Sequence, residues 1–391
     1  MDIVLNHPLF MPILVTLVII AAFPLVAGYI VLVERKVLAD FQVRLGPMRV
    51  GPHGLLQPIA DALKLLLKED IIPEQSDKAI FWFAPCISTI TALLGFSVIP
   101  FGAKIFVAAD VNVGLLVISA TSAVGILGII LGGWSSNSHY PLLGALRSAA
   151  QLVSYEVALG FALISGVMAA GTLSMQGIVQ SQMDRGVWGI FANYGFMVVP
   201  FGLYILAATA ETNRAPFDLP EAESELVAGF HTEYSGFRWA LYFLAEYANI
   251  FVVSSVAVTL FWGGWLRPFP SVKFLEAPLN YGTPVLLFVG SGLATFPLIK
   301  KLRDQMQQKV LLGVVVLLVA IGAIMAIPAV NTAIIGLFWF LVKVSVIVYA
   351  MIWFRGTFPR YRYDQLMNIG WKVAIPLGMV CVMVNAILGM L

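Results

Sequence analysis

Two glutamates stand inside long apolar segments of this sequence, where ionisable side chains are rare. Glu156 lies about eleven residues, or roughly 16 Å of helix, into the segment 145–169, and Glu246 lies about eight residues into the segment 239–262. A carboxylate near the centre of a bilayer costs at least about 2.5 kcal/mol, so its presence indicates a functional role. The alternative for Glu156 is a structural ion pair with Lys343 or an arginine.

Further carboxylates gather near one end of the apolar segments. Glu34 and Glu211 close the first and fifth segments. Carboxylates held together away from water cannot all ionise readily, so they share protons. The pattern therefore predicts a proton relay, although the three connector glutamates could equally form a solvated acidic loop. The predicted relay contains Glu34, Glu156, Glu211, Glu221, Glu223, Glu225 and Glu246.

Basic side chains are concentrated beside the same carboxylates. Many must retain their connectors on the cytoplasmic side of the membrane. A minority could balance the glutamates or hold the polar head of a ligand, and spacing alone does not separate the two roles. These residues are Arg35, Lys36, Arg44, Arg49, Arg214, Arg355, Arg360 and Arg362.

Ligands for a redox centre are missing from the sequence. An iron-sulfur cluster needs about four thiolates, but the chain has only Cys86 and Cys381, both in apolar segments. The four histidines lie in or beside polar connectors, which disfavours a membrane haem site, and no phosphate-binding glycine motif is present. We therefore expect no iron-sulfur cluster, flavin, haem or metal on this chain.

The composition predicts an all-α membrane protein. Hydrophobic residues make up 60% of the chain, charged residues 11%, and the mean hydropathy is +0.92. Crossing a bilayer takes roughly 20 apolar residues, and ten segments qualify. We predict one integral membrane domain, 1–391, with spans near 9–33, 79–101, 111–134, 145–169, 188–210, 239–262, 281–299, 310–327, 333–354 and 373–391.

The distribution of basic residues predicts the orientation. Eighteen of the 23 lysines and arginines fall in the connectors after the odd-numbered spans, and four fall in the opposite connectors. Because basic connectors stay in the cytoplasm, both termini are expected on the outer side of the membrane.

Two connectors have distinct character. Residues 54–69 place Gln57, Asp61, Lys64 and Lys68 along one stripe of a leucine-rich helix, which predicts an amphipathic helix in the membrane interface. Residues 211–238 form an acidic connector, predicted to be cytoplasmic and irregular because Pro216 and Pro220 interrupt any helix.

Several ordered motifs resemble one family. They are ERKVLADFQVRLGP at 34–47, GPHGLLQPIAD at 51–61, QLVSYE at 151–156, ETNRAPFDLPEAESE at 211–225, TEYSG at 232–236, AEYAN at 245–249 and PRYRYDQL at 359–366. Together they resemble the NuoH family of membrane subunits of the proton-pumping NADH:quinone oxidoreductase, respiratory complex I.

The resemblance implies a membrane-arm subunit that binds quinone as substrate and couples its reduction to proton translocation. Its expected partners are the peripheral-arm and other membrane-arm subunits, quinone and membrane lipids, with no nucleic acid. The family's acidic chain maps onto the seven glutamates above. Its quinone chamber maps onto Arg35, Arg44, Asp61, Arg214, Phe243 and Arg355.

One segment departs from the family pattern. Residues 279–330 contain two candidate spans beyond the usual eight, and we interpret them as a peripheral helix pair. Two other functions are compatible with the residues: the equivalent subunit of a complex fed by ferredoxin or hydrogenase, and, less favoured because no internal repeat is found, a stand-alone proton-coupled transporter. The sequence does not distinguish ubiquinone from menaquinone or plastoquinone.

Overall fold

The computed structural model describes residues 10–102, 111–218, 228–301 and 305–390. Within these ranges the chain is helical and contains no strand. The helices are α1 Phe10–Phe41, α2 Gln57–Leu67, α3 Lys78–Gly95, α4 Gly114–Ser135, α5 His139–Ala170, α6 Met175–Arg185, α7 Val198–Glu211, α8 Gly236–Phe261, α9 Thr283–Lys301, α10 Gln305–Met325, α11 Pro328–Thr357, α12 Tyr363–Ile369 and α13 Ile375–Leu388.

Eight helices of the described chain are long and apolar enough to cross a membrane. Seven of them lie in α1, α3, α4, α5, α8, α10 and α11. The eighth, Tyr363–Leu388, joins α12 and α13 through a short π-helical segment at Gly370–Ala374. The protein is therefore a multi-pass, all-α membrane protein, as its composition predicts.

The other two predicted spans form shorter or less apolar helices. The sequence predicts the fifth span as one helix over 188–210, but the helix α7 begins only at Val198. Asn193 and Tyr194 have φ values of 50° and 57°, which an α-helix does not accommodate. The seventh predicted span corresponds to α9, a 19-residue helix that contains Pro297.

The first helix extends well beyond its apolar segment. The predicted span ends at residue 33, whereas α1 continues to Phe41. Glu34, Arg35 and Lys36 are therefore helical, which suits residues of high helix propensity. Since consecutive helical residues point about 100° apart, these three charges project in different directions. We call this end of the bundle, which also contains Arg214 and Arg355, the arginine-rich end.

The helix α8 is the centre of the bundle. All residues from Ile250 to Phe261 are buried, and the apolar ones belong to the main hydrophobic core. At the far end of α8, Lys343 of α11 donates hydrogen bonds to the carbonyl oxygens of Trp262, Gly264 and Leu266 at 2.6, 2.9 and 2.5 Å. A cation at a helix C-terminus is favoured by the helix dipole. Lys343 is thus satisfied without Glu156.

The extra helix pair forms a peripheral hairpin. α9 and α10 pack along each other, and α10 also contacts α11 and the turn Pro52–Gly54. The hairpin therefore reaches the loop that connects α1 to α2. In that turn Gly54 has a φ of +76°, and a Cβ added to it would lie 2.1 Å from the carbonyl oxygen of Pro47, so the turn requires glycine at this position.

Candidate functional site

A cleft of about 320 Å³ opens between α1, α2 and α8. Its walls are mostly apolar, its lining includes Lys64 of α2, and Arg35 and Asp61 lie at the arginine-rich end. There Arg35 Nη1 donates to Asp61 Oδ2 at 2.8 Å, and Gln57 Nε2 donates to Asp61 Oδ1 at 3.0 Å. The side chains of Arg35 and Asp61 are 48% and 31% exposed, so the pair is accessible from outside the cleft.

Three aromatic rings of α8 line the cleft opposite α2. Trp239, Phe243 and Tyr247 are spaced by four residues, which places them on one face of a helix. The ring centroids of Trp239 and Phe243 are 5.0 Å apart, and those of Phe243 and Tyr247 are 4.8 Å apart. The cleft therefore offers a continuous aromatic wall for a flat, apolar ligand.

A buried group beside the cleft joins one carboxylate to two arginines, and we call it the Glu34 cluster. Glu34 accepts hydrogen bonds from Arg214 Nη1 at 2.9 Å, from the Tyr247 hydroxyl at 2.8 Å, and from Arg355. The guanidinium of Arg214 also lies over the Tyr247 ring, 4.5 Å from its centroid. Tyr247 thus belongs to both the cleft and the cluster.

Arg214 follows the last turn of α7 and is fully charged in this setting. Burial alone lowers the pKa of the Arg214 guanidinium, but Tyr247, Glu34 and Glu246 offset that effect and raise it above its ordinary value. Its Nη2 atom is buried and has no hydrogen-bond partner within the described chain. The cluster therefore carries two guanidinium groups against one carboxylate.

A second, smaller cavity of about 60 Å³ contains three of the predicted relay glutamates, and we call it the acidic cavity. Glu156 reaches it from α5, Glu211 from α7 and Glu246 from α8. The hydroxyl of Ser122 donates to Glu211 Oε1 at 2.6 Å, while Glu211 Oε2 is buried with no hydrogen-bond partner in the described residues. A cavity of this volume has room for several water molecules.

A buried glutamine fixes the connector that leaves this cavity. Gln151 is fully buried, and its Nε2 donates to the carbonyl oxygens of Ala210 and Phe217, both at 2.8 Å. It also lies 3.3 Å from Asn213 Oδ1. Further along, Arg360 pairs with Asp218 at 3.3 Å. Gln151 therefore holds residues 210–217 against α5, the ion pair joins Asp218 to the segment after α11, and together they position Glu211 and Arg214.

Comparison with known proteins identifies the family. A family model described as NADH dehydrogenase matches residues 13–386. The chain is 88% identical over 391 residues to the second NuoH protein of the NADH-quinone oxidoreductase of Solibacter usitatus (strain Ellin6076), covering 100% of this chain and 99% of that protein. The chain belongs to the NuoH family of NADH-quinone oxidoreductase subunits.

More distant relatives agree with this assignment. The first NuoH protein of the NADH-quinone oxidoreductase of Koribacter versatilis (strain Ellin345) is 53% identical over 369 residues, which cover 91% of this chain and 86% of that protein. The NuoH protein of Rickettsia canadensis (strain McKiel) is 43% identical over 354 residues, covering 90% of this chain and 86% of that protein. As a NuoH protein, the chain is one component of a multi-subunit oxidoreductase.

The residues predicted for this NuoH protein separate into three places. Asp61, Arg35 and Phe243 line the cleft, Glu34 with Arg214 and Arg355 forms the cluster, and Glu156, Glu211 and Glu246 share the acidic cavity. Arg44 is exposed, and its Nε donates to Gln42 at 2.7 Å, so it lies outside all three groups. Glu221, Glu223 and Glu225 lie outside the described residues.

Sequence reasoning missed two residues that connect these groups. Tyr247 stands out in the sequence only as part of a family motif, although its spacing from Trp239 and Phe243 could have placed it on the cleft face. Gln151 likewise appears only within a motif. A buried glutamine with several backbone contacts leaves no local pattern, because its partners are 59 to 66 residues away in the sequence.

Proposed function

We propose that the cleft receives the headgroup of a quinone and that reduction of the quinone drives proton movement through the acidic cavity. The observation that carries this proposal is the position of α8, which lines both spaces with consecutive residues. A pocket of about 300 to 1,000 Å³ with apolar walls and a few polar groups is typical of small-molecule sites. The cleft volume of about 320 Å³ and its few charged groups, Arg35, Asp61 and Lys64, agree with a flat, apolar ligand that has polar oxygens.

The chemistry assigned to the cleft is binding and orientation. A quinone becomes a quinol when it gains two electrons and two protons, and the electrons would come from a partner subunit. In the proposal Asp61, Arg35 and Gln57 orient the headgroup oxygens, while Phe243 and Trp239 pack against the ring. No step requires a cofactor bound by this chain.

The coupling is electrostatic in this proposal. The two electrons that enter the quinone leave it negative until it takes up two protons, and this change in charge lies beside Tyr247, whose hydroxyl donates to Glu34. Glu34 is paired with Arg214, and Arg214 interacts electrostatically with Glu246 in the acidic cavity. Neighbouring ionisable groups titrate together, so a change at one end alters proton occupancy at the other. Glu221, Glu223 and Glu225 are proposed to continue this relay in the acidic connector.

The proposal also includes the setting of the protein. We place it in a bacterial inner membrane with both termini on the periplasmic side and the arginine-rich end facing the cytoplasm. Eighteen basic residues on one set of connectors support this orientation. Peripheral-arm subunits would then contact the arginine-rich end, and lipids would surround the exposed helices.

Photolabelling tests the proposed binding site directly. A photoreactive short-chain quinone should label peptides from α1, α2 or α8 in the assembled complex, and excess unlabelled quinone should prevent it. The labelling also tests how far the quinone chamber extends, because label on residues 42–50 would show that the loop containing Arg44 is part of the chamber. Competed labelling of other subunits alone, with none on this chain, would contradict the proposal.

A further inference from the structure

The helix α2 forms one wall of the cleft, yet none of its residues is buried. α1 holds the first turns of α2 through the Arg35–Asp61 pair, and it holds the turn before α2 through Lys36 Nζ, which donates to the carbonyl oxygen of His53 at 2.5 Å. Gly28 of α1 also faces Pro58, and a Cβ added to Gly28 would lie 3.0 Å from the proline ring. These contacts lie in the first half of α2 and in the turn before it.

A different ion pair holds the segment that leaves α2. Asp70 accepts hydrogen bonds from Arg238 Nε at 2.8 and 3.0 Å, and Arg238 Nη2 lies 2.7 Å from Asp70 Oδ2. Two guanidinium nitrogens therefore bind one carboxylate, a geometry that restricts both side chains. Arg238 is in the first turn of α8, so the pair joins the segment after α2 to the opposite wall of the cleft.

The arginine of this pair is fixed by its surroundings. Arg238 is 2% exposed, and its guanidinium lies over the ring of Phe81 in α3, 5.0 Å from the centroid. Phe81 in turn stacks on Tyr234, with ring centroids 4.1 Å apart and planes 7° from parallel. Because Arg238 cannot change position without disturbing these contacts, Asp70 is held relative to a rigid part of the bundle.

Backbone contacts run along the same junction. The amide of Ile71 donates to Ser235 Oγ at 3.0 Å, and Ser235 Oγ donates to the carbonyl oxygen of Glu69 at 3.4 Å. Gly236 has a φ of +55°, and a Cβ there would lie 3.1 Å from the carbonyl oxygen of Lys68. The close approach of residues 68–71 to residues 235–238 therefore requires glycine at 236.

We propose that the Asp70–Arg238 pair positions α2 against α8 and thereby sets the width of the cleft. Asp70 and Arg238 do not line the cleft themselves, so they act through Asp61 on α2 and Phe243 on α8. Without the pair, the hydrogen bonds of Ser235 and the packing at Gly236 still connect residues 68–71 to the start of α8, but the ionic restraint is lost and the far end of α2 can move away from α8. This inference rests on the proposed function, because the measured consequence is quinone affinity.

Steady-state kinetics of the assembled complex with a short-chain quinone test the inference. Asp70→Asn should raise the KM for quinone about tenfold and leave kcat within about twofold, because a displaced wall weakens binding and not electron delivery. Asp70→Glu keeps the ion pair and should stay within about threefold of the wild-type KM. Arg238→Lys keeps the charge but loses two-point binding, so its KM should lie between these values.

A matched control exists on the same chain. Arg362 and Asp364 form a pair at 3.1 Å whose side chains are 80% and 61% exposed, so Asp364→Asn should leave KM unchanged. Reduction of hexacyanoferrate, which takes electrons without using the quinone site, measures assembly and electron input in every variant. If Asp70→Asn does not assemble, the other two variants still test the inference, because the KM of Arg238→Lys should exceed that of Asp70→Glu.

The outcomes separate this inference from the proposed function. If Asp61→Asn alters the KM but assembled Asp70→Asn or assembled Arg238→Lys keeps the wild-type KM, the inference is overturned and the proposed function is not. A wild-type KM in Asp61→Asn would instead contradict the proposed binding site. Loss of kcat at unchanged KM in the Asp70 variants would also overturn a positioning role.

Discussion

Glu246 and Tyr247, consecutive residues of α8, line two different cavities. Glu246 faces the acidic cavity, and Tyr247 faces the cleft between α1, α2 and α8. Consecutive helical residues point about 100° apart, so one helix presents side chains to both spaces. Tyr247 also belongs to the Glu34 cluster, because its hydroxyl donates to Glu34.

Removing the hydroxyl of Tyr247 should uncouple the cleft from the Glu34 cluster while leaving the ring in place. A hydrogen bond to a charged group contributes about 1.5 to 3 kcal/mol, so Tyr247→Phe should lower quinone turnover about tenfold with KM within about twofold. Stopped-flow or steady-state quinone reduction measures both parameters. Tyr155→Phe is the matched control, since the Tyr155 hydroxyl donates to the carbonyl oxygen of Leu366 at 2.9 Å, away from both cavities. Equal effects in the two variants would argue against a specific role.

Neutralising Glu34 should destabilise the protein more than neutralising an exposed carboxylate. Glu34→Gln leaves Arg214 and Arg355 without their shared negative charge, and breaking a buried pair typically costs about 3 to 5 kcal/mol. The exposed pair mutation Asp364→Asn should cost less than about 1 kcal/mol. Thermal unfolding of the purified complex measures the difference. A double variant, Glu34→Gln with Arg355→Met, should recover part of the loss, and a further decrease in stability would contradict the charge argument.

Stability should fall as the pH decreases from neutrality because of His231. Burial lowers the pKa of His231 to about 4, while nearby Asp218 opposes that effect. The unfolded chain binds a proton near pH 6.5 and the folded chain only near pH 4, so stability is complete above pH 6.5 and is lost between these values. Up to about 2 kcal/mol is lost from pH 6.5 to 5. Melting temperatures of His231→Gln should show a shallower slope over this range, whereas the exposed His139→Gln should match wild type.

Local sequence patterns predicted most of the helices because apolar length and charge position are local properties. They placed the spans 79–101 and 111–134 close to α3 and α4. They failed where backbone conformation overrides composition, as at Asn193 and Tyr194, whose left-handed φ values delay the start of α7. They also ended α1 too early, because the charge of Glu34 suggests the border of the membrane, whereas the residue is helical and packed against its partners.

The candidate site was predictable in its residue types but not in its grouping. The glutamates inside apolar segments were found because a buried carboxylate is costly, and Glu156, Glu211 and Glu246 do share a cavity. Their separation from Glu34 depends on the direction of side chains on different helices, which sequence spacing does not give. The Asp70–Arg238 pair was invisible for the same reason, since its members are 168 residues apart.

Proton translocation by complexes that carry Glu211→Gln tests the central claim most directly. The carboxylate of Glu211 accepts from Ser122 and faces the cavity shared with Glu156 and Glu246, so its loss should interrupt the relay. In proteoliposomes, quinone-driven proton pumping should fall at least about tenfold, whereas the exposed Glu74→Gln should pump normally. Assembled Glu211→Gln complexes that reduce quinone and pump protons at wild-type rates would contradict the account.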